Sequence, residues 1–291
     1  MRISVVIPTK NRSHDVERLL NCLLQQAREP DEVIVADDSR DLGTKRIVEK
    51  FENVYTKRNI ELRHIWDSGS LSRARLLGGL KSKGDIIIYV DDDLVIRKDS
   101  LKILVETLLK KETLAVWAKI SFRDSHSFRL KRIFDLLYYH SLFGGSELAG
   151  GFFAIRRKVL EDKVWFDQNL SGYALGEDQD FAYSVHRHYG LENISQVKNP
   201  VLAVNNGLLI KDKKYYKQLF GNTIYFAKKR GEPIRLISAF LVTMLLCSFN
   251  VISEGGRGTS SISKKEILSS YFDTLKNFKL ILTGNLDAAY E

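Results

Sequence analysis

The chain is poor in cysteine and proline, and its longest uncharged apolar stretch falls short of the ~20 residues of a typical membrane span. Its two cysteines, Cys22 and Cys247, belong to no Cys-x-x-Cys pair, which argues against a disulfide scaffold or a cysteine zinc site. Four prolines and 19 glycines in 291 residues exclude collagen-like and proline-rich chains. The opening residues are too few and too β-like for a signal peptide, so we expect a reducing, cytoplasmic compartment.

Positive charge outweighs negative charge, and most of the excess lies towards the C-terminal end. The 45 Lys and Arg against 36 Asp and Glu give a net charge of +9, and residues 200–291 carry +6 of it. The same region contains the 14-residue uncharged stretch Leu236–Phe249. Basic charge beside an apolar stretch favours an anionic membrane surface over nucleic acid as the partner. Three structures stay open for this stretch: a buried helix, an interfacial helix and a true span.

Short apolar runs alternate with amphipathic runs along the first part of the chain. This alternation predicts βαβ units, and therefore an α/β fold with a mostly parallel sheet flanked by helices. Ser13 is the expected N-cap of the first helix. We predict strands at Ile3–Ile7, Val33–Ala36, Ile60–Trp66, Asp85–Val90, Leu114–Ile120 and Val201–Val204, and a glycine-rich turn followed by a short strand within Gly144–Ile155. We predict helices at Asp15–Gln26, Gly43–Phe51, Ser70–Lys81, Lys98–Lys110, Asp178–Tyr189, Lys211–Arg230 and 264–282, and an amphipathic segment at Arg129–Phe143.

Polar residues follow several of these strands directly, at Pro8–Arg12, at Asp37–Ser39 and at Asp91–Asp93. Ligands of open α/β sheets bind beyond the carboxyl ends of the strands. Three consecutive carboxylates after a buried strand repel one another unless a cation neutralises them, and carboxylate oxygens suit Mg²⁺ or Mn²⁺. The competing interpretation of Asp91–Asp93 is a solvated turn that caps the following helix.

Two other acidic groups allow both a functional and a structural interpretation. Asp37 and Asp38 can accept hydrogen bonds from a nucleobase or ribose, or form an ordinary acidic turn. Asp178 follows a glycine loop at the start of a predicted helix, where an acidic residue is usually a cap. A metal-bound diphosphate, however, requires a separate base, and a carboxylate at a loop–helix junction can serve as one.

Together these residues resemble the motifs of family 2 glycosyltransferases, which have the GT-A fold. Six segments occur in that family's order and cover about residues 1–190: Val5–Arg12, Val35–Ser39, Ser72–Arg75, Gly84–Asp93, Gly150–Arg157 and Gly176–Asp178. The chain departs from the common pattern at three positions. Lys10 stands where an aromatic residue is frequent, Ser39 replaces the usual Gly, and Leu76 stands where Asn is common.

The resemblance implies a role for each matching residue. Asp178 would be the general base, and Asp93 the main metal ligand. Glu177, Gly150 and Gly151 would lie on the acceptor side. The residues implied in nucleotide-sugar binding are Pro8, Lys10, Arg12, Asp37, Asp38, Arg75, Asp91 and Asp92.

The expected protein is a metal-dependent, inverting glycosyltransferase that moves one sugar from a UDP-, GDP- or dTDP-sugar to a hydroxyl of a glycan or lipid-linked acceptor. We place the catalytic domain at residues 1–205 and a helical extension, a candidate for membrane association, at 206–291. Because no tryptophan follows an arginine, the Gln-x-x-Arg-Trp signature of processive synthases is missing, which favours single addition. The alternative is a catalytically silent nucleotide-sugar-binding or scaffolding protein. A nucleotidyltransferase would need a Gly-x-Gly loop after the first strand, and this chain has none there.

Overall fold

A computed structural model describes residues 1–66, 69–122, 151–172, 174–197, 200–205, 212–231 and 263–290. Its contacts divide the chain into two compact units. Within the described ranges, the first unit takes in residues 1–122, 151–167 and 181–205, and the second takes in 168–180, 212–231 and 263–290. The second unit thus includes residues 168–180 as well as the C-terminal helices. The predicted functional boundary near residue 205 stays a prediction.

The first unit is built around a seven-stranded sheet. Its strands are β1 (Ile3–Thr9), β2 (Glu32–Asp37), β3 (Glu61–Trp66), β4 (Ile86–Val90), β6 (Ala115–Trp117), β8 (Phe152–Arg156) and β9 (Ile194–Gln196). They lie in the order β3-β2-β1-β4-β8-β6-β9. Strands β1 to β4 are parallel to one another, β8 is antiparallel to both β4 and β6, and β9 is parallel to β6. The predicted α/β class with a mostly parallel sheet is confirmed.

Both faces of this sheet are covered, as the continuous apolar runs of β1 and β4 predict. Val5 and Ile7 belong to one buried cluster and Val6 to another, because successive side chains of a strand point to opposite faces. The helices of this unit are α1 (Ser13–Leu23), α2 (Gly43–Lys57), α3 (Leu71–Lys81), α4 (Ser100–Lys110) and the short α5 (Lys158–Glu161); helix α6 (Glu177–Tyr189) contributes its residues from Phe181 onwards.

The starts of two helices differ from the prediction in where the N-cap lies. Ser70 caps α3, since its hydroxyl accepts a hydrogen bond from the backbone N–H of Arg73 at 3.4 Å. The predicted cap Ser13 is wrong: α1 already begins at Ser13, and Arg12 occupies the cap position without a side-chain capping hydrogen bond. The helix thus begins two residues before the predicted Asp15, directly after Arg12.

A second, three-stranded sheet of the first unit has the order β5-β10-β7, with β5 at Leu94–Ile96, β7 at Ile120–Phe122 and β10 at Ala203–Asn205. The predicted single strand Leu114–Ile120 is therefore wrong. It divides into β6 and β7 because Ala118 bonds to the main sheet through Phe152, whereas Lys119 bonds to Leu202 beside the small sheet. Strand β5 was not predicted at all.

The C-terminal part of the second unit is helical where it is described. It contains α7 (Lys213–Lys229), α8 (Lys264–Lys276), α9 (Phe278–Thr283) and α10 (Leu286–Tyr290). The single helix predicted for 264–282 is interrupted at Asn277, which ends α8 and precedes α9 with its side chain bonded to the carbonyl of Ala289. In the parts of the chain that the structure describes, no helix has both the length and the apolarity to cross a bilayer. The predicted segments Arg129–Phe143 and Leu236–Phe249 lie outside the described residues.

Candidate active site

The strand order of the main sheet reverses its direction between β1 and β4, which makes this a topological switch point. Strands β2 and β3 follow β1 on one side, while β4 pairs with its other side. Such a switch point leaves a crevice beyond the carboxyl ends of the two central strands, and this is where open α/β sheets bind ligands. The residues at these ends are Thr9–Arg12 after β1 and Asp91–Asp93 after β4. The predicted polar groups therefore meet at one edge of the sheet.

Asp92 joins the ends of the two central strands. Its carboxylate accepts a hydrogen bond from Thr9 Oγ1 at 2.7 Å and another from Arg12 Nη1 at 3.1 Å. Burial raises the pKa of Asp92 to about 7 even though both hydrogen bonds act in the opposite direction. Burial also disfavours the charge on Arg12, but the carboxylates of Asp92 and Asp93 outweigh it, so the pKa of Arg12 is raised. The guanidinium is thus held charged at the mouth of the crevice.

Asp93 lies beside Arg12 and β10, the central strand of the small sheet. Its carboxylate is 3.5 Å from Arg12 Nη1 and accepts a hydrogen bond from Asn205 Nδ2 at 3.1 Å. Burial and the neighbouring Asp91 raise the pKa of Asp93, which means that its negative charge is poorly compensated by the protein. The side chain nevertheless keeps 15% of its surface exposed. An oxygen donor with these properties fits a hard divalent cation.

Asp91 contacts a buried arginine, Arg75, and the glycine that directly precedes β8, Gly151. Its carboxylate is ion-paired with Arg75, whose side chain is only 1% exposed. The backbone N–H of Asp91 donates to the carbonyl of Gly151 at 2.7 Å. A Cβ at residue 151 would overlap the Asp91 carboxylate, so only glycine fits at this position. The neighbouring Gly150, also predicted on the acceptor side, lies outside the described residues.

Asp38 closes the site on the side of β2. Its carboxylate is ion-paired with Lys10 and accepts a hydrogen bond from the backbone N–H of Gly69 at 2.6 Å. Lys10 itself is half exposed, and Pro8 lies in β1 opposite Ala36 of β2. Asp38 therefore orients Lys10 at the crevice.

Asp37 is the last residue of β2 and is fully buried. Burial alone would raise the pKa of Asp37, but hydrogen bonds from His64 at 3.0 Å and from the backbone of Ser39 at 2.9 Å outweigh it, so its pKa lies below the ordinary value. Asp37 supports the turn in which Asp38 lies.

Asp178 and Glu177 lie in the first turn of α6 and belong to the second unit. Asp178 is partly exposed, and its Oδ1 accepts a hydrogen bond from the backbone N–H of Gln179 at 2.9 Å. Glu177 is buried. Carboxylates at a helix N-terminus are stabilised by the helix dipole.

Sequence reasoning assigned no role to Thr9, His64, Gly69 and Asn205, which contact the acidic side chains of the site. A hydroxyl or amide at a strand end was the one signal that could have singled out Thr9 and Asn205. Within the described residues, no group of three or more His, Cys, Asp and Glu side chains converges as metal ligands. A cation at Asp93 would therefore take most of its ligands from a bound molecule and from water.

Comparison with sequence families and curated proteins points to sugar transfer. The family model described as Glycosyl transferase family 2 matches residues 4–164, more than half of the chain. Poly(ribitol-phosphate) beta-N-acetylglucosaminyltransferase TarS of Staphylococcus aureus is 33% identical over 105 residues, which cover 35% of this chain and 18% of TarS. An uncharacterized glycosyltransferase of Bacillus subtilis, YfnE, is 26% identical over 202 residues, covering 60% of this chain and 49% of that protein. The chain thus matches less than half of the length of each of these relatives.

Solved structures share the fold at low sequence identity. The crystal structure of S. aureus TarS 1-349 has a TM-score of 0.61 at 20% identity and covers 99% of this chain and 83% of that one. The same fragment has been solved with UDP-GlcNAc. Glucosyl-3-phosphoglycerate synthase from Mycobacterium tuberculosis, solved with Mn²⁺, UDP and phosphoglyceric acid, has a TM-score of 0.55 at 19% identity and covers 76% of this chain and 78% of that one. The predicted GT-A fold is confirmed.

Proposed function

Because the chain belongs to glycosyl transferase family 2, we propose that it moves a single sugar from a nucleotide-sugar donor to an acceptor hydroxyl. One observation carries this proposal: cations and carboxylates from β1, β2, β4 and α3 meet at the switch point of the sheet. A nucleoside diphosphate needs both positive side chains and a cation-binding carboxylate. The UDP-GlcNAc and UDP bound by the neighbouring folds support a UDP-sugar as the donor.

The cationic side chains of the site bind the donor diphosphate. Lys10 and Arg12 are 50% and 40% exposed, so both can contact phosphate oxygens while they stay paired with Asp38 and Asp92. Arg75 is buried and acts by fixing Asp91. Charge-assisted hydrogen bonds from such groups stabilise the negative charge that develops on the leaving nucleotide.

Asp93, with Asp91 beside it, would hold Mg²⁺ or Mn²⁺. The raised pKa of Asp93 and its partly exposed carboxylate fit a site that a bound cation would stabilise. A bound divalent ion supplies neutralisation of the diphosphate charge. Asn205 fixes the orientation of the Asp93 carboxylate through the bond to Oδ1.

Asp178 is the proposed general base. Its carboxylate takes the proton from the acceptor hydroxyl as that oxygen attacks the anomeric carbon, and direct displacement inverts the configuration there. The hydrogen bond from the Gln179 N–H to Oδ1 orients this carboxylate at the start of α6. Inverting transfer needs no second carboxylate as a nucleophile.

An exposed face of α8 supports a lipid-linked acceptor at an anionic membrane surface. Leu268 and Phe272 are separated by one helical turn and are 46% and 53% exposed. Exposed lysines extend this face at both ends of the helix, at Lys265 and Lys276. Apolar side chains flanked by lysines suit an interfacial position on anionic lipid. A soluble glycan acceptor would leave this face without a role.

A donor screen tests the proposed activity. Purified protein is incubated with UDP-, GDP- and dTDP-sugars in Mn²⁺, in Mg²⁺ and in EDTA, and release of the nucleotide is measured. We expect release from a UDP-sugar that requires the divalent cation. A protein that binds UDP-sugars but releases no nucleotide with any glycan or lipid-linked acceptor would be the silent binding or scaffolding protein instead.

A further inference from the structure

A row of polar side chains on α7 binds the segment that leads into Asp178. Gln218, Asn222, Tyr225 and Lys229 recur at intervals of three or four residues, so they share one face of the helix. Gln218, Asn222 and Tyr225 contact a segment formed by residues 169–172 and 174–177, here termed the base loop. Both the helix face and the base loop belong to the second unit.

The contacts run along the whole base loop. At its start, Asn169 Nδ2 donates to the Tyr225 hydroxyl at 2.9 Å, and Gln218 Nε2 donates to the carbonyl of Ser171 at 3.2 Å. The Gln218 amide packs against Gly172, whose φ of +58° favours glycine. Hydrogen bonds from side chains to backbone carbonyls fix the backbone path of the loop, which apolar burial alone would not do.

Asn222 is the centre of the row, because both ends of its amide are engaged. Its Nδ2 donates to the carbonyl of Leu175 at 3.0 Å, three residues before Asp178. Its Oδ1 accepts the hydroxyl hydrogen of Tyr290 at 2.6 Å. Asn222 is 2% exposed and Tyr290 4% exposed, and burial raises the pKa of Tyr290, so the phenol stays a neutral donor. The last helix, α10, thus orients the amide that holds the loop.

Past the base loop, ion pairs fix the first turn of α6. Lys229 Nζ lies 2.6 Å from Asp180 Oδ2, and Arg230 Nη2 lies 3.3 Å from Asp180 Oδ1. Asp180 and Arg230 are almost completely buried. Asp178 is therefore flanked by a hydrogen-bonded loop on one side and a buried ion pair on the other.

We propose that Asn222 and Tyr290 are positioning residues for the catalytic base, and that the C-terminal helices set the orientation of Asp178 through the base loop. This inference rests on the proposed role of Asp178. A general base must lie within hydrogen-bond reach of the acceptor hydroxyl, and a displacement of about 1 Å is enough to lose about 100-fold in rate. Buried polar contacts with one allowed geometry hold a loop in register more strictly than apolar packing does.

The test removes a single buried oxygen. Tyr290→Phe deletes the hydroxyl that orients Asn222 and leaves the ring in place. The matched control is Tyr55→Phe: Tyr55 is also buried, and its hydroxyl donates to the carbonyl of Leu20 at 2.8 Å. Both residues belong to the first unit, whereas the base loop belongs to the second. Both variants lose one buried hydrogen bond and should show similar small decreases in melting temperature.

Two readouts separate positioning from general stability. Hydrogen–deuterium exchange of a peptide covering residues 169–180 should accelerate about 5-fold in Tyr290→Phe and stay unchanged in Tyr55→Phe. With UDP-GlcNAc or UDP-glucose and Mn²⁺, whichever donor turns over, kcat should fall about 10-fold in Tyr290→Phe while the donor KM stays within about 2-fold. In an Asp178→Asn background the same substitution should lower kcat no further.

The outcomes distinguish the two claims. Wild-type exchange of the 169–180 peptide in Tyr290→Phe, or a kcat equal to that of Tyr55→Phe, would overturn the positioning role and leave the function of Asp178 untouched. Wild-type turnover by Asp178→Asn would instead overturn its role as base, whatever the exchange data show. A second variant, Gln218→Met, should repeat the exchange pattern at the start of the base loop.

Discussion

Substitution of Gly151 by alanine tests how the strand-end carboxylates are packed. The alanine Cβ would overlap the Asp91 carboxylate and nothing else at such short range. Asp91 must then rotate away from Arg75, which is 1% exposed, or the chain must shift against the bond of the Asp91 N–H to the Gly151 carbonyl. Overpacking costs about 1–3 kcal/mol, and disturbing a buried ion pair adds to it, although Asp91 is itself 28% exposed. We expect Gly151→Ala to lower the free energy of unfolding by about 2–4 kcal/mol.

The assay is a double-mutant cycle read by denaturant unfolding. Because the three atoms nearest the new Cβ all belong to the Asp91 side chain, Gly151→Ala should be much less destabilising in an Asp91→Ala background. Gly43→Ala is the matched control, since its Cβ meets the movable side chains of Asp41 and Ser13 at a helix start. The reasoning is refuted if Gly151→Ala is as mild as Gly43→Ala, or if its full effect persists without the Asp91 carboxylate.

Three further predictions concern the metal, acid stability and lipid. Asp93→Ala should reduce turnover by at least about 100-fold with little change in melting temperature, and EDTA should have the same effect on the wild type; full activity in chelator contradicts the metal role. Since the pKa of Asp37 is depressed in the fold, its contribution to stability is present above about pH 4 and is lost as the pH falls through the folded value. His64→Phe should therefore flatten the decrease in melting temperature below about pH 4, and an unchanged profile argues against this pair. In flotation, the protein should bind anionic vesicles, and high salt should reverse this binding. The double substitution Leu268→Ser and Phe272→Ser should abolish it. If the double variant binds as well as the wild type, the α8 face does not bind lipid.

The sequence was sufficient to predict strands β1 to β4 of the main sheet because their signals are local, whereas β9 was not predicted. Continuous β-branched runs such as Ile86–Val90 predict strands buried on both faces, and alternation with amphipathic helices predicts parallel order. The polar residues after β1, β2 and β4 then had to meet at one edge, whatever the details of the loops. For this reason the sequence could place Lys10, Arg12, Asp38 and Asp91–Asp93 at one edge of the sheet, while their roles in binding stay predictions.

The contacts inside the site were not predictable in the same way, because they join residues far apart in the chain. Thr9 and Asp92 are 83 residues apart, and Asn205 and Asp93 are 112 apart. No periodicity links such pairs; the pairing of β1 with β4 and of β10 with β5 creates them. The division of Leu114–Ile120 into two strands has the same origin, since only the two sheets determine where the chain crosses between them.

Turnover and donor binding by Asp178→Asn test the proposed function most directly. Asparagine keeps the size of the side chain but cannot accept the proton of the acceptor hydroxyl. Transfer from a UDP-sugar in the presence of Mn²⁺ should fall by about 10²–10⁴-fold, while the affinity for UDP measured by calorimetry stays at the wild-type value. Wild-type transfer by this variant would contradict the role of Asp178 and shift the search for the base to Glu177 and Asp180.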